Sequence, residues 1–191
     1  MTCMNWSSSV LYKIETKDLY ITYVYICNMN IIVFDSSSLI LMAKINLLKF
    51  MGEYKYKIFI TKEVYRESVD VGKKEGKADA FIIEKEIKNR KINISEIKNI
   101  NHLTIILKNF KCGRGEAEAL SLSIEKKAVL FTDDLESIKI CKVYDIDFVT
   151  TLAFLVKLVY DEKIDKDESS IKFDLLTKYG YYSKEILNHA L

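Results

Sequence analysis

The 191-residue chain contains no proline and only six glycines. Set beside its abundant Ile, Lys and Asn, the missing proline reflects the composition of a genome rather than a function. Two histidines and four cysteines without a CxxC pair offer no zinc-ligand spacing. The thiols at Cys3, Cys27, Cys112 and Cys141 fit a reduced, intracellular, cytoplasmic setting. A net charge of +2 supplies no broad basic field, so any contact with nucleic acid has to be local. In residues 1–28 the longest apolar stretch, Leu19 to Cys27, falls far short of the roughly 20 residues that cross a bilayer. Lys13, Glu15, Lys17 and Asp18 precede it in mixed order, unlike the basic start of a signal peptide. No membrane association is expected.

What remains is a 22.2 kDa chain, 49% hydrophobic, long enough for one domain with a sizeable core. Ile31 to Phe34 is too short an apolar run for a helix and fits a strand buried on both faces of a parallel sheet. Asp35 ends it. Ser36, Ser37 and Ser38 are good N-cap residues, and Leu39 to Leu48 repeat at helical spacing until Gly52. The same alternation returns in the strand Lys57 to Ile60, capped into a helix by Thr61, and in a helix from Ala78 to Asn89. An edge strand at Ile92 to Ile97 and a helix from His102 to Phe110 follow. A helix opening at Gly113, a strand at Ala128 to Phe131 and another at Asp147 to Val149 come next. Thr151 is expected to cap a helix to Tyr160, with further helices at Ile171 to Tyr179 and, capped by Ser183, at Lys184 to Leu191. Strands alternating with helices give an α/β sandwich with a mainly parallel sheet. Met29 stands just before the first strand, so residues 1–28 read either as an extension outside a domain spanning 29–191 or as an added edge strand from Tyr20 to Ile26.

Carboxylates collect where strands end. Asp35 follows the first strand, and Thr132, Asp133 and Asp134 follow the strand at 128–131, which is where ligands bind in open α/β sheets. The bland reading of Asp35 is a helix cap. Glu67 can reach the group from the second helix. Glu116 and Glu118 lie about 200° apart around theirs, so only one can face the site. Glu116, in the first turn, is the better placed, and Glu118 is expected at solvent or a neighbouring helix. The glycines at 113 and 115 match neither GxGxxG nor a Walker loop. Carboxylates crowded into one cleft repel and raise one another's pKa unless a cation neutralises them. Hard oxygen ligands without His or Cys favour Mg2+ or Mn2+, and phosphodiester hydrolysis is the natural reaction.

Asp-Ser-Ser-Ser-Leu-Ile from Asp35, Thr-Lys-Glu-Val-Tyr-Arg-Glu ending at Glu67, Gly-Arg-Gly-Glu-Ala-Glu-Ala-Leu from Gly113 and Phe-Thr-Asp-Asp from Phe131 together resemble a PIN domain in order and spacing. The resemblance covers everything after Met29 and runs closest to the VapC-like branch with the GEAEA helix. It implies a PIN-like three-layer sandwich and an RNA-cutting site that binds Mg2+ or Mn2+. By motif, Asp35, Glu67, Glu116 and Asp134 are the four catalytic acids, and Asp35, Glu116, Asp133 and Asp134 the metal ligands. Ser37 and Thr132 would orient carboxylates or water, or simply cap turns, and Arg114 and Lys44 would meet RNA phosphates. The branch implies a metal-dependent endoribonuclease toxin, homodimeric and held inactive by a small antitoxin protein. A PIN nuclease of RNA processing or decay without an antitoxin, and a non-catalytic RNA-binding protein of the same fold, remain as alternatives. Two departures bear on substrate positioning. Ile60-Thr61 stands where the family often has proline, and Lys139 stands in for an arginine that often follows the Asp pair.

Overall fold

The computed structural model describes residues 30–180 and residue 182 in full, and the backbone of two strands, β1 (Lys13–Thr16) and β2 (Leu19–Thr22). β1 and β2 pair antiparallel as a two-stranded sheet of their own. Of the alternative edge strand at Tyr20 to Ile26, the first three residues lie in β2. The rest of it, Met29, Ser183 and the helix expected after Ser183 lie outside the described residues.

Five short strands build the central sheet: β3 (Ile31–Phe34), β4 (Lys57–Ile60), β5 (Ile92–Ile94), β6 (Val129–Phe131) and β7 (Phe148–Val149). Their order is β5-β4-β3-β6-β7 and every pairing is parallel. Apolar runs with no polar alternation need cover on both faces, and helices supply it, giving a three-layer α/β sandwich. The chain leaves β3 to build β4 and β5 on one side and returns to place β6 on the other. The topological switch point therefore falls between β3 and β6. Ile32 lies opposite Val129 and Phe34 opposite Phe131. The Phe34 and Phe131 rings stack at 4.4 Å, and Phe154 meets Phe131 edge-on at 5.9 Å. This aromatic group is fully buried directly beneath the strand ends.

The helices depart from expectation mainly at their ends. One helix from the serines to Gly52 is instead two, α1 (Ser36–Lys44) and α2 (Leu48–Met51), followed by a 3-10 turn at Gly52–Tyr54. Asn46, left-handed at φ 56°, breaks the run. The cap of α1 is Asp35 rather than a serine. After Thr61, α3 (Lys62–Tyr65) passes into a π-helical stretch, Arg66–Val71, and then into α4 (Gly72–Lys74). α5 (Ala78–Lys88), α6 (Ile100–Asn109), α7 (Arg114–Lys126) and α8 (Leu135–Tyr144) come next. α9 (Thr151–Tyr160) is capped by Thr150, one residue before the expected Thr151, because the Thr150 hydroxyl accepts from the Ala153 N–H. α10 (Lys166–Tyr179) starts before Ile171 because Asp165 caps it through the Glu168 N–H. Among the described residues no helix is long and apolar enough to cross a membrane.

Removing the ring of Phe34 leaves a cavity at the centre of this stack, so Phe34→Ala should lose about 3–5 kcal/mol of stability. Urea unfolding followed by circular dichroism reads it as a lower midpoint at unchanged slope.

Candidate active site

β3 ends in Asp35 because the next backbone step is a helix start. The Asp35 carboxylate takes the Ser38 N–H at 2.8 Å and the Ser37 hydroxyl at 3.1 Å, both on Oδ1. The capping reading of Asp35 is thus observed. Its other oxygen, Oδ2, accepts from the Thr132 hydroxyl at 2.5 Å across the switch point, and its N–H donates to the Phe131 carbonyl. Asp35 has no exposed surface. Burial pushes its carboxyl up to about 7; the Thr132 and Ser38 hydrogen bonds oppose that rise and the charge of Asp133 adds to it. A carboxylate in this state is poised to welcome a cation.

Glu67 arrives from α3 on the first turn of the π-helical stretch, where the widened helix carries it over α1. Its Oε2 accepts from Ser36, and Oε1 lies 3.9 Å from Arg66. Burial pushes the Glu67 carboxyl up, the Ser36 bond opposes that, and the neighbouring Glu116 adds to it. Gly115 makes this seat possible. A Cβ there would collide with the Glu67 carboxylate and lie 3.0 Å from Ser36 Oγ. Gly113 does the same for Glu116, whose carboxylate lies where a Cβ would stand. The glycine pair, which matches no phosphate-binding loop, is a seat for two acids.

The pair after β6 divides its work. Asp134 caps α8, its Oδ2 accepting from the Ser137 N–H at 2.7 Å, and its own N–H reaches the Thr132 hydroxyl at 3.2 Å. Asp133 is half-buried and turned toward α9. Oδ1 accepts from the Thr151 N–H at 2.8 Å and from Tyr182, and Oδ2 from the Thr151 hydroxyl. Its N–H donates to Ser38 Oγ at 2.8 Å. Burial pushes Asp133 up, with Thr151 and Tyr182 opposing. Cys112 reports the closeness of the two sides. Its thiol is pushed up by burial and then by the charges of Glu116, Asp134 and Glu136.

The structure therefore brings Glu67 beside Glu116 at the start of α7, and sets Asp35 and Asp134 on either side of the Thr132 hydroxyl at the ends of β3 and β6. Lys44, at the far end of α1, is roughly 13 Å along that helix from Asp35 and does not join them. Arg114 is exposed and ion-paired to Glu118 at 3.0 Å. Glu118 is therefore not free in solvent. It is 9% exposed, folded under the guanidinium one turn away. Lys139 pairs with Glu136 rather than reaching the acids. Sequence reasoning missed Ser36, Ser38, Thr151 and Tyr182. The polar pair Thr150-Thr151 at a strand end was a usable signal; nothing in the sequence near Tyr182 marks its role. Among the described residues, no three acidic, His or Cys side chains stand close enough to hold an ion unaided.

The profile of a family described as a PIN domain matches residues 31–191. The solved structure of PAE2754 from Pyrobaculum aerophilum is similar over 68% of this chain and 95% of its own, with 17% identity and a TM-score of 0.51. A PilT N-terminus domain protein, SSO1118 from Sulfolobus solfataricus P2, covers 80% of this chain and 96% of its own, with 16% identity and a TM-score of 0.42. The first of these establishes a shared fold. No curated protein matches the chain.

Because Asp35 binds its proton more tightly folded than unfolded, it favours the fold fully below pH 4 and loses that contribution as pH rises through about 7. Glu67 and Asp133 shift in the same direction. In EDTA the protein should lose stability from pH 4 to 7.5, with Asp35 accounting for roughly 4 kcal/mol at most. Asp35→Asn should flatten that dependence in urea titrations, and an unchanged slope in the variant would contradict the assignment.

Proposed function

As the chain belongs to the PIN domain family, whose members are generally nucleases, we propose that it is an Mg2+- or Mn2+-dependent endoribonuclease with Asp35 at its centre. The observation that carries the reading is the burial of Asp35 at the switch point, held by the Thr132 and Ser37 hydroxyls with the charge of Asp133 beside it. That donor set is all oxygen and fits a hard cation. Mg2+ keeps several waters and is held by one or two carboxylates together with substrate phosphates, so a ready-made cage of three protein ligands is not required. Asp35, Glu116 and Asp134 are the residues that would hold the ion. Asp133, with both oxygens engaged by Thr151 and Tyr182, fixes the loop that presents Asp134.

When bound, a divalent ion supplies the charge that lets these acids sit together and that activates water against a phosphodiester. The protein's own groups set the stage for it. Thr132 and the Ser38 N–H hold the Asp35 carboxylate by both oxygens, so it meets substrate without reorganising. Ser36 and Gly115 seat Glu67 beside Glu116, where burial, with the Glu116 charge adding to it, raises the Glu67 carboxyl. Leu39, Phe131 and Phe154, all fully buried, close the floor to water.

The GEAEA segment at 115–119 supports the VapC-like branch, and with it a toxin restrained by a small antitoxin and acting as a homodimer. The acting unit runs from residue 29 to residue 191, and residues 1–28 lie outside it.

The test is cleavage of labelled RNA with Mn2+ or Mg2+ against EDTA. Asp35→Asn should fold and lose at least ~100-fold in rate. A folded variant that still cuts would refute the role of Asp35, and a wild-type protein that binds no Mn2+ would favour a non-catalytic RNA-binding protein. Gly115→Ala gives a second outcome. The helix should tolerate alanine to within about 1 kcal/mol, while the displaced Glu67 should slow cleavage by roughly 10-fold. Thermal melts beside the rate assay separate the two effects.

A further inference from the structure

At the opposite end of the sheet, beneath the amino ends of β4 and β5, lies a cleft of about 280 Å3. Its floor is apolar, made by Leu48, Met51, Ile58 and Ile92, all buried. Its rim is cationic. Lys55, Lys57, Arg90 and Lys91 line it against one acid, Glu86, which Lys91 takes at 2.9 Å. Among the described residues Lys55, Lys57 and Arg90 have no ion-pair partner, and all three are exposed. Lys55 and Arg90 hold left-handed backbone at φ 56° and 59°, each in the turn that leads into a strand bordering the cleft. Tyr56 joins the lining with its ring stacked on Tyr54 at 5.4 Å and 10°, which fixes an aromatic group among the cations. The whole chain carries a net charge of only +2, so three unpaired cations around one cleft are a concentrated local field.

We propose that this cleft is a second RNA-binding site, distant from the acids, that holds the backbone of a single-stranded segment of the substrate. Cations along a groove with an aromatic group and an apolar floor are the chemistry that grips single-stranded nucleic acid without reading its sequence. The acidic end repels a polyanion until an ion is bound, and a site at the far end anchors the RNA regardless of that ion. The strands between the two ends are about 13 Å long, a span that a few nucleotides of extended RNA cover. The assignment rests on the RNA-cutting reading for its choice of polyanion, but its binding does not require the acids.

The experiment is fluorescence anisotropy of the full chain with a labelled oligouridylate of about 12 nucleotides, in EDTA, across a range of salt. Lys57→Gln with Arg90→Gln should weaken binding about tenfold and lower the salt slope by roughly 1.4, the share of two phosphate contacts on a single strand. Lys108→Gln with Lys166→Gln, neutralising two exposed cations elsewhere, should leave binding within about twofold. Cleavage of a dinucleotide, too short to occupy both ends at once, should be the same in the cleft variant and the wild type. If the cleft variant binds RNA as the wild type does, the cleft assignment falls while the nuclease reading stands. If binding drops as expected but no RNA is cut under any metal, the cleft stands and the nuclease reading falls. If a polyglutamate peptide of matched charge displaces the RNA with equal affinity, the cleft serves an acidic protein partner and the RNA assignment is overturned.

Discussion

Burying a carboxylate at the end of a central strand is the constraint on which the rest depends. Asp35 has no contact with solvent, so every lone pair it directs inward needs a donor. Those donors come from two places. The first turn of α1 brings Ser37 and Ser38, and the strand across the switch point brings Thr132. Only if β3 and β6 are neighbours, in the register that sets Phe34 beside Phe131, does the Thr132 hydroxyl arrive at the second oxygen. The sheet order and the carboxylate's satisfaction are therefore one requirement. The stacked rings beneath make the same demand from the apolar side.

Glu67 and Glu116 extend this logic. Each could crowd the other away, and each instead occupies space that a glycine of the α7 start leaves open. Glycine suits the N-cap at Gly113 but is costly inside the helix at Gly115, and together the two leave open the space that carboxylates from two elements occupy. Helix propensity at Gly115 is given up for carboxylate placement.

Much of this was legible before any coordinates. An apolar run stopped by Asp and followed by three serines reads as strand, turn and helix, because hydrophobic periodicity and turn chemistry agree there. The acids at 35, 67, 116 and 134 lie at strand ends or first turns, which periodicity locates well. The errors sit where tertiary contact decides. Nothing local says that Asn46 rather than Gly52 ends the first helix, since a left-handed Asn is chosen by the return of Leu47 and Leu48 to the core. Glu118 was assigned by angle around its helix, to solvent or a neighbouring helix. What the angle could not show is that Arg114, one turn back, would cover it. The partners of Asp133 come from α9 and from Tyr182, far along the chain, and such long-range pairing leaves no mark in the sequence beside it.

The left-handed turns at Lys55 and Arg90 carry a consequence for how this protein could evolve. A side chain with a Cβ in that conformation costs on the order of 1 kcal/mol relative to glycine. In a chain with so few glycines, such positions form a reserve of stability that single substitutions could release. At these two turns the release would come at the expense of the cleft, because the residue that strains the backbone is also the one that carries the charge. Selection for a hardier fold and selection for an anchored polyanion would pull on the same two codons in opposite directions.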